Sequence, residues 1–308
     1  MVVIGTAGVL APGKWRWLRA LGWMAGLCVA IVLGFNTIAK AVLWLLGSGV
    51  DVTSGDKLLA AIAGVAVILV IYPIAVGFGE RRAVPELGLR HGAADLLLGL
   101  AAGAAVMTLI VGSLWMFGWV VVGSKPIESV ALALRDSIRS GVLEELVLRL
   151  VIFRLLWRAF GIWPAITLAA LLFGGLHLAN PDSGLFAALC LIAGEGIGIG
   201  LFLITGRIWA SIGMHAAWNF TQGWIFGAVV SGTSEIAGGP LATHPAAGVS
   251  DLLSGGGFGP EASMPALIVS LAASATLLLH AWKLGRFVAS DGASDAIVQK
   301  SSNVQTAS

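Results

Sequence analysis

The run LLAAIAGVAVILVIYPIAVGF, residues 58–78, contains no charged side chain and is long enough to cross a bilayer as a single helix. It is not an isolated run. Apolar residues make up 58% of the chain and charged residues 11%, against roughly 45–50% and about 25% in soluble domains. Further apolar runs lie near 20–39, 94–122, 142–158, 163–178, 185–205, 208–229 and 265–284. The expectation is an all-α, polytopic helical membrane protein of about eight transmembrane helices. One helical membrane domain covers residues 1–288, and a disordered cytoplasmic tail rich in Ser, Ala and Asp covers 289–308.

The loops orient the bundle. Lys14, Arg16, Arg19, Arg81, Arg82, Arg90, Arg154, Arg158, Arg207, Lys283, Arg286 and Lys300 fall on one side of the expected spans. Lys57, Lys125, Arg135 and Arg139 fall on the other, with a loop from Val230 to Pro265 that carries no Lys or Arg. The positive-inside rule then puts both termini in the cytoplasm of a multi-pass plasma (inner) membrane protein. Lys14 to Arg19 and the first apolar run imitate a secretory signal, but that run is longer than the roughly 7–15 residues of an h-region, so an uncleaved helix is expected. Trp15, Trp17, Trp23, Trp44, Trp115, Trp119, Trp163, Trp209 and Trp282 sit near span ends, as interfacial anchors. The net charge of +2 is spread over several loops, which gives no footprint for nucleic acid. Cys28 and Cys190, both inside spans, read as buried thiols.

Residues 124–140 alternate polar and apolar at helical spacing, with Ile127, Val130, Leu134 and Ile138 on one face. They predict an interfacial amphipathic helix. It leads into GVLEELVLRL, Gly141 to Leu150, where Glu144, Glu145 and Arg149 interrupt the fourth apolar run. A charge at the bilayer centre costs roughly 2.5–3.5 kcal/mol on insertion scales, so such residues are functional candidates. His177, Glu195, His215 and Asn219 follow in the next three runs. Seven polar side chains in four consecutive runs predict a polar cavity within the membrane.

Helical geometry sorts the seven. Glu145 and Arg149 are four apart and form a pair, which leaves Glu144, about 100° around the helix, without a partner. His215 and Asn219 in GMHAAWNF share a face, as do Phe173 and His177 in FGGLH. Hydrolysis in such a cavity needs a base on a water and donors for the oxyanion. Glu144 fits the base, His177 its partner on the water, and His215 with Asn219 the oxyanion pair. His177 and His215 could instead ligate zinc, with a carboxylate or Asn as third ligand. No H-E-x-x-H motif supports that alternative.

Glu-Glu-x-x-x-Arg at 144–149, Phe-x-x-x-His at 173–177 and His-x-x-x-Asn at 215–219 resemble, in that order, the three motifs of the CAAX-protease and bacteriocin-processing (Abi) family of intramembrane proteases. The approach GLFLITGRIWASIGMHAAWN also resembles the family's run into its third motif, and the likeness spans about residues 136–222. The resemblance implies that Glu144 activates water, His177 shares it, and His215 and Asn219 stabilise the oxyanion, while Glu145 and Arg149 complete the first motif. It also implies an endopeptidase acting on a membrane-associated or lipidated protein or peptide, in contact with membrane lipid. The family has been described both as metalloproteases and as metal-independent glutamate proteases, so zinc stays open. Glu195 matches none of its motifs. A proton-coupled transporter would also place ionisable groups in spans, though no inverted repeat is visible here. A non-catalytic membrane scaffold would not require the set to be intact.

Overall fold

The structure, a computed structural model, describes residues 1–47, 52–128, 130–236 and 238–290. Most of the expected tail, from residue 291 onward, lies outside them. The chain is a polytopic all-α membrane protein. In lipid, backbone groups need partners within the segment, so each apolar run winds into a helix. Among the described residues, six of these helices are long and apolar enough to cross a membrane. They are α1 (Arg16–Gly47), α2 (Ser54–Gly79), α3 (Gly92–Met116), α6 (Ile162–Leu176), α7 (Leu185–Thr205) and α10 (Met264–Lys283). Thr53 and Asp56 form a capping box at the start of α2, and the Ser263 side chain caps α10 just before Pro265.

The other two expected runs are helical but built differently. The first belongs to a continuous helix made of α4 (Val130–Arg139), π-helical turns over Ser140–Glu144 and Leu146–Phe153, and α5 (Arg154–Phe160). The second is α8 (Trp209–Phe220), extended by a π-helical turn over Thr221–Ile225. One carries charges through its length and the other is short, so neither is a simple lipid-crossing helix. Both are interior elements.

The centre of the bundle is α7, whose apolar window is 78% buried, whereas that of α1 is only 11% buried. α3 and α8 lie backbone to backbone, since a β-carbon on Gly99 or Gly103 would collide with the carbonyls of Ala210 and Met214. Small residues permit that approach, as membrane helix pairs require. On the fourth run, a β-carbon on Gly141 would stand 2.8 Å from that of Ala216. The close approach sets the Glu144 turn against the His215 turn.

Several expectations need correction. α3 stops at Met116, and beyond Gly118, at φ +70°, the chain forms β1 (Val120–Ser124). β1 pairs antiparallel with β2 (Leu241–Pro245), with Val122 opposite Thr243. The loop from Val230 is therefore folded, carrying β2, α9 (Asp251–Ser254) and a 3-10 turn at Pro260–Ala262. In α4 the buried face is Ala133, Asp136 and Ser137 while Val130 is exposed, and Ile127, exposed too, lies before the helix begins. Small and hydrogen-bonding residues face inward there because α4 packs on α2 and α8 rather than lying alone at an interface.

Arg154, read as a loop charge, is fully buried. Its guanidinium donates to both Glu80 oxygens, at 2.6 and 2.7 Å, and Arg82 bridges Glu80 and Glu86. Trp23, read as an anchor, donates to Glu80 at 2.9 Å, and Trp209 donates to the Gly88 carbonyl at 3.0 Å. Trp15, Trp17, Trp44, Trp115, Trp163 and Trp282 are exposed, as belt residues should be. Ser290 donates to the Val2 carbonyl at 3.0 Å, so the first and last described strands of chain lie together at the Arg154 end.

Candidate active site

The helix from α4 to α5 carries three tiers of charge. Arg139, Glu144 and Arg154 follow one another five and then ten residues apart along the chain. The middle tier is the site. The winding there is π-helical, a form found mostly as single turns at functional sites.

Glu144, Glu145, Arg149, His177, Glu195, His215 and Asn219 all line one cavity of about 890 Å³. All six residues expected to form the site are brought together, and Glu195 joins them. Glu145 is buried at 1% exposure, and the Nδ1–H of His215 donates to its Oε1 at 2.8 Å. Arg149 Nε stands 2.9 Å from Glu145 Oε2, yet neither atom makes a hydrogen bond, so this contact is purely ionic. The Nη1 of Arg149 instead donates to Glu195 Oε1 at 2.7 Å. A chain thus runs Glu195, Arg149, Glu145, His215. Its open end is Glu144, whose Oε2 lies 3.9 Å from His215 Nε2 and whose side chain is 32% exposed. The acid expected to lack a partner is the one turned to the cavity.

His177 ends α6 and its Nδ1–H donates to the Phe173 carbonyl one turn earlier, at 2.8 Å. That bond leaves Nε2 available to the cavity. The Phe173 ring meets both imidazoles edge-on, with centroids 4.5 Å from His177 and 6.2 Å from His215. This explains the aromatic residue four before the histidine. Asn219 donates from Nδ2 to Ser140 Oγ at 2.8 Å, and Ser140 Oγ donates to the Asp136 carbonyl at 2.7 Å. A second amide hydrogen of Asn219 is left for a ligand.

At the cavity mouth Arg135 pairs with Asp136 and, at 2.7 Å, with Glu235. The hydrogen bond from Arg135 holds the Glu235 carboxyl below its ordinary range. Lys57 lines the same mouth. Val32, Phe35, Ala39 and Leu43 of α1 form an apolar flank with Leu143, Val147 and Leu176.

Among the described residues, no three His, Cys, Asp or Glu side chains gather so as to hold a metal ion. His177 and His215 both line the cavity, together with Glu144 and Asn219. Asn36, Lys40 and Asp95 are not among the residues lining the cavity. Asn36 donates to the Val32 carbonyl of its own helix, Lys40 is exposed, and Asp95 pairs with Arg207.

Sequence reasoning missed Ser140, Gly198 and Glu261. Ser140 lies one turn before Glu144, a spacing that would have placed it on the same face. Gly198, in GEGIGIG, gives room to the Arg149 guanidinium, which a β-carbon would strike. Glu261 gives no local signal because its partners are distant in the chain.

Residues 126–221 match the family model of Rce1-like proteins, described as Type II CAAX prenyl endopeptidase Rce1-like. The match contains all three motifs and agrees with the resemblance read from them. No curated protein and no solved structure matches the chain.

Proposed function

We propose that the protein is an intramembrane endopeptidase of the CAAX-processing kind, cleaving near the end of a lipidated or membrane-associated peptide. The observation that carries this reading is the meeting of Glu144, His177, His215 and Asn219 in one cavity, within a segment that matches an endopeptidase family. In this reading Glu144 takes a proton from a water that His177 Nε2 also holds. The hydroxide adds to the scissile carbonyl, and its oxyanion is met by Asn219 Nδ2 and by the Nε2–H of a protonated His215. The proton on Glu144 then passes to the leaving amine as the C–N bond breaks, so the carboxylate is regenerated. Glu145 orients His215, and Arg149 holds Glu145. Each step uses groups of this chain alone.

The apolar flank from α1 suits a hydrocarbon chain. Because α1 is the least buried of the six long helices, a lipidated peptide enters from the bilayer beside it. Both termini face the cytoplasm of the plasma membrane in this reading. The test uses an internally quenched peptide ending in farnesylated Cys, two aliphatic residues and one further residue with a free C-terminus, with purified protein in detergent. Wild type should cleave after the modified Cys, and Glu144→Gln should not. Equal turnover by Glu144→Gln would remove Glu144 as the base, and preference for unlipidated soluble protein would sink the substrate class.

A further inference from the structure

The folded segment after α8 roofs the cavity, and one carboxylate fastens it. Glu261 is 3% exposed and lines the cavity. Its Oε2 accepts from Trp218 Nε1 at 3.0 Å, next to Asn219. Its Oε1 accepts from both the backbone N–H and the hydroxyl of Ser231, at 2.5 and 3.0 Å. Ser231 sits at φ +47°, a left-handed conformation that a non-glycine residue adopts only where its surroundings impose it. Its carbonyl accepts from Asn180 Nδ2 at 3.1 Å, three residues beyond His177. The same turn is gripped twice more. A β-carbon on Gly232 would collide with the Pro181 carbonyl, and one on Gly257 would lie 2.7 Å from the Asp182 carboxyl carbon.

We propose that Glu261 is a positioning residue, tying the Asn219 helix at Trp218 to the His177 turn through Ser231 and Asn180. This rests on the endopeptidase reading, in which His177 holds the attacking water and Asn219 meets the oxyanion. The two reach the cavity from separate helices, α6 and α8. The roof supplies a hydrogen-bonded connection between their ends, and Glu261 accepts from both sides of it. An oxyanion donor displaced by about 1 Å can cost on the order of 10²-fold in rate. A carboxylate that accepts three hydrogen bonds, and donates none, is suited to fix that spacing.

The test is a pair of variants with two readouts. Glu261→Gln preserves size, but with its oxygen on Ser231 its amide hydrogens face the Trp218 N–H, donor against donor. For the farnesylated quenched peptide, kcat should fall by about 10- to 100-fold with KM nearly unchanged, because the α1 flank is untouched. Adding Trp218→Phe removes the opposing N–H, and the double variant should lose no more activity than Glu261→Gln alone. Independent losses that multiply would overturn the proposal. A purely structural role would lower yield and Tm while leaving kcat per folded molecule intact, which also overturns it. Hydrogen exchange of the unliganded protein supplies the second readout: Glu261→Gln should speed exchange at Ser231 and across residues 177–180. Unchanged exchange at both places would overturn the clasp without reference to turnover. If wild type and Glu144→Gln treat the peptide alike, the endopeptidase reading falls while exchange still decides the clasp.

Discussion

The guanidinium of Arg149 occupies the space that a β-carbon on Gly198 would fill. Arg149 spans from Glu145 to Glu195 only because α7 offers a glycine where the fourth run crosses it. Gly198→Ala should therefore push Arg149 off Glu145 and, through it, disturb His215. A displacement near 1 Å predicts a loss on the order of 10²-fold in kcat. Measuring kcat beside the thermal midpoint checks this, and Gly194→Ala serves as the comparison, because a β-carbon there meets nothing closer than 3.7 Å.

Glu195 takes the Nη1 of Arg149 while Nε faces Glu145, so the two acids hold the guanidinium between them. Glu195→Gln keeps the acceptor and removes the charge. A hydrogen bond to a charged group contributes about 1.5–3 kcal/mol, so turnover should drop by roughly 10- to 100-fold with little change in KM. Full activity in Glu195→Gln would make Glu195 a packing residue only.

Ser140 holds Asn219 through one amide hydrogen. Asn219→Ala removes an oxyanion donor, worth roughly 10²- to 10³-fold in kcat. Ser140→Ala should cost less, about tenfold, since Asn219 stays present but loses its anchor. The double variant should match Asn219→Ala alone, and a further multiplicative loss would show that Ser140 acts by another route.

The motifs were legible in the sequence because their spacing is local. Glu145 with Arg149, Phe173 with His177 and His215 with Asn219 each share a helix face, and the apolar runs mark the helical segments that carry them. What failed was everything decided across the chain. Arg154 looks like a loop cation until Glu80 is known to face it, and Val120–Ser124 reads as a span end until Leu241–Pro245 lies beside it. Glu261 and Ser231 had no visible role, since the hydrogen bonds that join them to Trp218 and Asn180 exist only in the fold.

The zinc alternative makes a separate prediction. No group of three His, Cys, Asp or Glu gathers for a metal among the described residues, and the proposed mechanism uses groups of this chain alone, so it predicts that activity survives exhaustive chelation in metal-free buffer. Loss on chelation, restored by zinc with metal bound in proportion to activity, would reverse that outcome and return both imidazoles to metal ligation.

The last prediction concerns acid. Glu80 lies just beyond the end of α2 and is fully buried. Burial pushes its carboxyl upward, but the charges and hydrogen bonds of Arg154 and Arg82 outweigh that and hold it below its ordinary value. A depressed folded value means that the carboxylate stabilises the fold above its unfolded pKa of about 4.3, and that the contribution fades as pH falls through the folded value. Wild-type Tm should therefore decline as pH drops below about 4. Glu80→Gln should be less stable at neutral pH, because breaking one side of a buried ion pair costs about 3–5 kcal/mol. Its Tm should also vary less with acid, since the group that titrates is gone. Scanning both proteins from pH 7 to pH 3 in the same detergent decides the matter. Parallel curves would show that acid acts elsewhere, at the Arg135 to Glu235 pair for instance, rather than at the Glu80 junction.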